Sequence, residues 1–328
     1  MKLKKLIFLS YFILSSLLSY CQHQKGELTC LFYNLENLFH PSDDENMLSD
    51  DEFTPQGVRY WNFYRYNKKI TQVCKVILAS NEWKPPEIIC LCELENIEVL
   101  QDIVRHPLLM KFDYRIIHRD SPDHRGIDVG MLYQKDKLNC IDTTWLICKD
   151  DNNNVMNTRE ILCAWYRYDK DTILVSTNHW ISKYGGNYET EEKRILQARL
   201  VGIFLDSCIS AQAGLSVIVG GDFNDNSASQ SIQTLQDHSL HELVPDRGDF
   251  TYKYQGKWES IDHIFIGGNL HPGNCSATVV KNEFLLEADE KYTGIKPFRT
   301  YIGYTYHGGI SDHLPLMIQC YPGKPPVN

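Results

Sequence analysis

Apolar and polar positions fall into short blocks along most of the chain, and several of the blocks stop at Gly, Pro, Asn or Asp. Leu28 to Asn34 reads as a first strand. Ile88 to Leu91 and Leu215 to Val219 are aliphatic, β-branched runs, as in strands buried on both faces. Tyr114 to Ile117, Val129 to Tyr133, Thr251 to Tyr254, Ile261 to Ile266 and Leu314 to Cys320 read as further strands. Ile161 to Tyr168 and Thr172 to Thr177 predict a hairpin around Asp169-Lys-Asp171. Helical spacing sets in at Ile70, Val73, Cys74, Ile77 and Leu78, which predicts a helix from Tyr66 to Ser80. Further helices are expected over Ile97 to Arg105, Glu191 to Cys208 and Gln230 to Gln236. Residues 40–57 read as a loop with six acids between Asp43 and Glu52. Residues 281–308 read as irregular, and 322–328 as a loose tail. Strands and helices mixed without strict alternation predict an α/β or α+β fold, two packed sheets covered by helices.

The chain has 328 residues, 43% of them apolar, which suits one large core. Lys2, Lys4 and Lys5 precede an apolar run from Leu6 to Leu18 and then Ser19-Tyr20-Cys21, the layout of a secretory signal peptide. The expectation is therefore a leader over 1–21, a single domain over 22–328, and an exported protein, periplasmic or secreted. Acylation at Cys21 is the alternative, disfavoured by Tyr20, where a small residue is usual. No later run is long and apolar enough to span a bilayer, so no stable membrane insertion is expected. The formal charge is −9, and the three leader lysines leave −12 on the remainder, which opposes broad polyanion binding. The eleven Cys show no disulfide spacing. Cys30, Cys90, Cys92, Cys163 and Cys320 lie in strand-like runs and are expected as buried free thiols.

The chemistry gathers where the strands stop. In Gly220-Gly-Asp222-Phe-Asn224 two glycines offer a tight turn, and a carboxylate and an amide follow it. An Asx turn would look the same. Other strands stop at Asn34, at Glu93 and at Asn178-His179, and two more start at Asp262 and at Asp312-His313. Apolar scaffolding that delivers oxygen ligands and imidazoles to one mouth is what a metal-assisted hydrolase needs. Glu93, Asp312, Asn34, Asp222 and Asn224 are all oxygen donors, which suit Mg²⁺ or Mn²⁺ better than zinc.

Tyr33-Asn34-Leu-Glu-Asn, Cys92-Glu93-Leu-Glu-Asn, Arg125-Gly-Ile-Asp128, Asn178-His179-Trp, Gly221-Asp222-Phe-Asn224, Ile261-Asp262-His263 and Ser311-Asp312-His313 together resemble the endonuclease/exonuclease/phosphatase superfamily, the deoxyribonuclease-I-like fold. The motifs span residues 28–320. Asp51-Glu-Phe-Thr-Pro55 with Gly57 and Trp61 resembles an exported bacterial branch. The resemblance implies a four-layer sandwich of two face-to-face, mostly antiparallel sheets flanked by helices. It implies that Glu93, Asn34 and Asp312 hold Mg²⁺ or Mn²⁺. Asp222 and Asn224 would place the attacking water and bind phosphoryl oxygens. His313, oriented by Asp262, would protonate or stabilise the phosphate, with His179 on the opposite side. Asn178, Arg125 and Arg194 are expected to contact substrate, with Lys183 a further local cation.

The implied activity is hydrolysis of phosphodiesters, foremost as an endonuclease on DNA or RNA. A phosphatase or phosphodiesterase of small molecules is the alternative, and a non-catalytic binding module on the same fold a further one. A serine hydrolase is disfavoured, because no Gly-x-Ser-x-Gly elbow exists. A His-rich dinuclear metallophosphatase is disfavoured because no Asp-x-His occurs before Asp222. A monomer is expected.

Overall fold

The computed structural model describes residues 26–42, 50–183, 186–245 and 249–323. The leader, Cys21, most of the acidic run and the end of the tail lie outside them. In chain order the elements are β1 (Leu28–Leu38), α1 (Phe63–Ala79), β2 (Ile88–Leu94), α2 (Ile97–Arg105), β3 (Tyr114–His118), β4 (Asp128–Gln134) and β5 (Asn139–Leu146). Then come β6 (Ile161–Tyr168), β7 (Asp171–His179), α3 (Asn187–Ala211), β8 (Ser216–Asp222), α4 (Gln230–Gln236), β9 (Leu240–Glu242), β10 (Tyr252–Tyr254) and β11 (Lys257–Glu259). The chain continues through β12 (Asp262–Gly268), β13 (Cys275–Val279), β14 (Leu286–Ala288), β15 (Ile295–Pro297), β16 (Tyr301–Ile302), β17 (Thr305–Tyr306) and β18 (Leu316–Cys320).

Two six-stranded sheets form the centre, ordered β13-β18-β1-β2-β4-β3 and β5-β6-β7-β8-β12-β9. β1 runs parallel to β2 and β7 parallel to β8, while the other neighbours are antiparallel. The sheets pack face to face through β1, β2, β7 and β8. Phe32, Leu91, Leu162, Val175, Ile218 and Ile264 share the core between them. α1 and α2 cover the first sheet with Ile70, Val73, Ile77, Val99 and Leu100. α3 and α4 cover the second with Ala198, Val201, Leu205, Ile232 and Leu235, against Leu174, Val217, Val219 and Phe265. The α+β sandwich expected from the sequence is what forms. No described helix is long and apolar enough to cross a membrane.

The helices begin where their caps stand. Asn62 accepts from the Arg65 N–H at 3.1 Å and Asn96 from the Val99 N–H at 3.1 Å, satisfying N–H groups that each first turn leaves unpaired. The glycine pair at 220–221 corrects the expected tight turn: β8 runs straight through it to Asp222. Both glycines serve close approach instead. A Cβ at Gly220 would stand 2.6 Å from the Phe32 ring, and one at Gly221, where φ is +135°, 2.0 Å from the Asn178 carbonyl oxygen.

A second correction concerns Cys320. It is not a free thiol but is disulfide-bonded to Cys275, its register partner across β13 and β18. Strand register creates that pairing, and sequence spacing carries no trace of it. Cys30, Cys90, Cys92 and Cys163 are buried free thiols as expected.

Candidate active site

The mouth lies where β1, β2, β7 and β8 stop. Parallel pairing puts Asn34 beside Cys92 and His179 beside Asp222, so the last residues of each pair emerge together. The register of β1 on β2 shifts between Asn34 and Leu38, and that of β2 on β4 between Cys92 and Leu94. Such bulges re-aim side chains. Glu36, Asn37, Glu93 and Asn224 all adopt left-handed backbone, with φ of 50°, 52°, 58° and 53°. Each costs roughly 1 kcal/mol or more in a non-glycine residue. Side chains of the site hold two of them: Asn37 donates its N–H to Glu93 Oε2 at 2.9 Å, and Asn224 its N–H to Asp222 Oδ1 at 2.9 Å.

These residues open onto a cleft of 580 Å³ lined by Glu93, Arg125, His179, Asp222, Asn224, Asp312 and His313, with Asn37, Lys183, Tyr252 and Tyr254 around them. His313 Nδ1 lies 2.9 Å from Asp262 Oδ2, and its Nε2 lies 3.8 Å from Asp222 Oδ2. Burial opposes charge on this imidazole, but the Asp262 and Asp222 carboxylates outweigh it and hold its pKa well above the ordinary value. Burial pushes Asp222 up to about 7, with His313 pulling the other way. His179 differs from His313. Burial, then the positive charges of Arg159 and Arg125, hold it well below the ordinary value, so it is neutral. Its Nε2 is 3.6 Å from Glu93 Oε1 and 3.8 Å from Asp222 Oδ2.

Several expected residues stand behind the cleft rather than on its wall. Asn34 is buried; its Nδ2 donates to Asp222 Oδ2 at 3.0 Å and its Oδ1 accepts the Glu36 N–H at 2.9 Å. Asp262 sits behind His313. Asn178 spends its side chain on Ser176, the Gly220 carbonyl and the Trp180 indole N–H. Arg194 is fully buried on α3 and donates to Asp225 Oδ2 at 2.6 Å, so it braces the loop after β8 and does not reach the cleft. Asn37 and Tyr252 line the cleft unanticipated. Asn37 ends the Tyr33-Asn34-Leu-Glu-Asn motif and was in plain view. Tyr252 packs its ring against His313 at 4.9 Å between centroids, a contact no spacing announces.

A profile of the Endonuclease/Exonuclease/phosphatase family matches residues 29–321. The chain belongs to that family. Solved structures that superpose on this family member include an endonuclease/exonuclease/phosphatase family protein from Bacteroides thetaiotaomicron, at 16% identity, TM-score 0.57, covering 92% of this chain and 100% of that one. A humanized D. rerio TDP2 matches at 15% identity and TM-score 0.55, over 89% of this chain and 98% of that one. The human Nocturnin catalytic domain matches at 14% identity and TM-score 0.57, over 89% and 93%. No curated protein matches the chain in sequence.

The family is generally divalent-metal dependent, and the donors here fit such an ion. Glu93 and Asp312 bring carboxylates to the cleft, hard oxygen donors of the kind Mg²⁺ or Mn²⁺ takes. Asp222, Asp262 and His313 also offer ligand atoms within 4.8 Å of one another. A protonated His313, hydrogen-bonded to Asp262, has no lone pair for a metal, so that trio reads as acid–base machinery instead.

Proposed function

We propose that this family member is an exported, Mg²⁺- or Mn²⁺-dependent phosphodiesterase, acting foremost as an endonuclease on DNA or RNA. The observation that carries the reading is the convergence of Glu93, Asp312, His179, Asp222, Asn224 and the Asp262–His313 pair on one cleft. Glu93 and Asp312, with Asn34 behind them, would hold the cation, which when bound supplies Lewis-acid stabilisation of charge growing on the phosphate. Ionised Asp222 accepts a proton from and orients the attacking water. Asn224 keeps one amide N–H on the Trp180 carbonyl at 3.0 Å and has a second for a phosphoryl oxygen. His313, fixed by Asp262, donates from Nε2 to the phosphate or leaving oxygen. Neutral His179 donates a hydrogen bond without adding charge.

The nucleic-acid preference draws support from a D. rerio TDP2 structure holding a single strand DNA product, matched at 14% identity and TM-score 0.55. Export rests on the lysine-led apolar N-terminus, and the Cys275–Cys320 disulfide suits an oxidising compartment. A leader over 1–21 and one monomeric domain over 22–328 complete the reading. Hydrolysis of small phosphoesters is the second reading, favoured by the acids Glu93, Asp222, Glu259 and Asp312 around the cleft.

The test is a substrate panel of plasmid DNA, RNA, a model phosphodiester and inositol phosphates, with Mg²⁺, Mn²⁺ or excess EDTA. Phosphodiester cleavage that needs the cation is expected. Glu93→Gln is expected to abolish it with little loss of stability, since Glu93 stands at a strand mouth and not in a core. Full turnover in EDTA, or with Glu93→Gln, would sink the metal claim.

A further inference from the structure

Asp312 reaches the cleft from a turn just ahead of β18. Two hydrogen bonds fix the turn's backbone: Ser311 Oγ donates to the Asn34 carbonyl at 2.7 Å, and the His313 N–H donates to Ser311 Oγ at 3.1 Å. Neither touches the Asp312 carboxylate. Among the described residues its hydrogen-bond donor is Arg299, whose Nη2 lies 2.9 Å from Oδ2. Arg299 follows β15, in the stretch that reads as irregular in sequence. Its Nε lies 3.5 Å from Glu36 Oε1, an ion pair rather than a good hydrogen bond. Buried Glu36 also accepts the N–H groups of Thr300 at 2.6 Å and Tyr301 at 3.1 Å, so it captures the backbone directly after Arg299. Its own carbonyl accepts from the buried Lys69 Nζ at 2.7 Å, which ties the assembly to α1.

Anchoring a loop explains the two amide bonds to Glu36. It does not explain why the anchored residue turns a guanidinium onto a carboxylate that lines the cleft. An ionised carboxylate has two oxygens; Arg299 takes Oδ2, and Oδ1 has no donor among the described residues. Resting on the metal-dependent reading above, we propose that Arg299, clamped on Glu36, is a positioning residue that orders the Asp312 carboxylate and leaves its second oxygen for the divalent cation. Two effects compete. The guanidinium charge repels a nearby cation, while the hydrogen bond removes the freedom of the ligand. Loss of such partners behind ligating groups typically costs about 10–100-fold in metal affinity or activity, so ordering is expected to win.

The experiment is calorimetric titration of Mn²⁺ into the full chain without substrate, for wild type, Arg299→Ala and Arg299→Lys. Arg299→Ala is expected to raise the Mn²⁺ Kd by about 10–100-fold. Arg299→Lys is expected to fall between, since an ammonium donates but lacks the planar fork. The deficit of Arg299→Ala in kcat/KM should shrink as Mn²⁺ is raised. An unchanged or tighter Kd for Arg299→Ala overturns the proposal, as does a lowered Tm in excess EDTA with Kd intact, the mark of a plain loop brace. Should Arg299→Ala not fold, Glu36→Gln serves, keeping an acceptor for Thr300 while removing the charge behind Arg299; a weaker Mn²⁺ Kd is expected and an unchanged one overturns the role. A wild type that binds no Mn²⁺ overturns the metal reading beneath it too, whereas normal wild-type binding with an unaffected Arg299→Ala overturns the positioning role alone.

Discussion

His313 carries the most consequential charge in the cleft, because two buried carboxylates hold it protonated against the cost of burial. Turnover by the proposed route needs His313 protonated and Asp222 ionised, so activity should rise toward neutrality and fall again at alkaline pH. Asp262→Asn removes a carboxylate that favours the imidazolium. The His313 pKa then drops, and the alkaline limb of the kcat/KM profile should move to lower pH. A limb that stays in place would show that Asp262 does not charge His313. Asp262→Asn and His313→Ala should each cost on the order of 10²-fold or more in turnover. The double variant should cost little beyond either, because residues acting as a unit are non-additive; fully additive losses would separate the pair. At this scale the sequence shows the reacting side chains and hides their support. Asp222, Asp262 and His313 stand in motifs at strand ends. Glu36 and Arg299 meet across the fold, and nothing local to either residue announces the other.

Elements were legible where one face is buried; of the edge strands, β3 was legible and β5, β9 and β13 were not. α2 and α4 have the bounds expected from the sequence. β5 escaped because it is an edge strand whose residues are mostly half-exposed or exposed, so no period-two pattern marks it. The stretch 281–308 holds two small hairpins, β14–β15 and β16–β17, too short to show a period. Arg194 illustrates the other limit: position beside a motif suggested substrate contact, but helix phase points it inward. It donates to Asp225 Oδ2 at 2.6 Å and to Thr190 Oγ1 at 2.8 Å. Arg194→Ala leaves Asp225 buried with only Lys183, Ser229 and Ser231 among the partners described. Breaking a buried pair costs about 3–5 kcal/mol, and the remaining partners put the loss at the low end, about 3 kcal/mol. Denaturant unfolding should show that loss, with KM nearly unchanged per folded molecule. A stable variant with a raised KM would restore the substrate role.

For the whole molecule, charge decides how a polyanion is met. The chain carries −9 overall. Among the described residues two cations line the cleft besides the His313 imidazolium, and each already faces an acid: Arg125 Nε lies 3.6 Å from Asp123, and Lys183 Nζ 3.1 Å from Asp225. Arg194, the third cation the sequence suggested, is buried. A nucleic acid seated here meets about three side-chain cations among the described residues, Arg125, Lys183 and His313, apart from any bound metal. Counterion release scales with that number, so the logarithm of duplex affinity should fall against the logarithm of salt with a slope of about −3 or shallower. Cleavage should tolerate sequence, because contacts to phosphate position a duplex without reading its bases. The check is KM for duplex DNA between low and moderate salt, in wild type and Arg125→Ala, with the slope shallower by about one in the variant. A steep slope would mean a basic track beyond the described residues. No cleavage of DNA or RNA, beside rapid hydrolysis of a small phosphoester, would assign this cleft to small substrates.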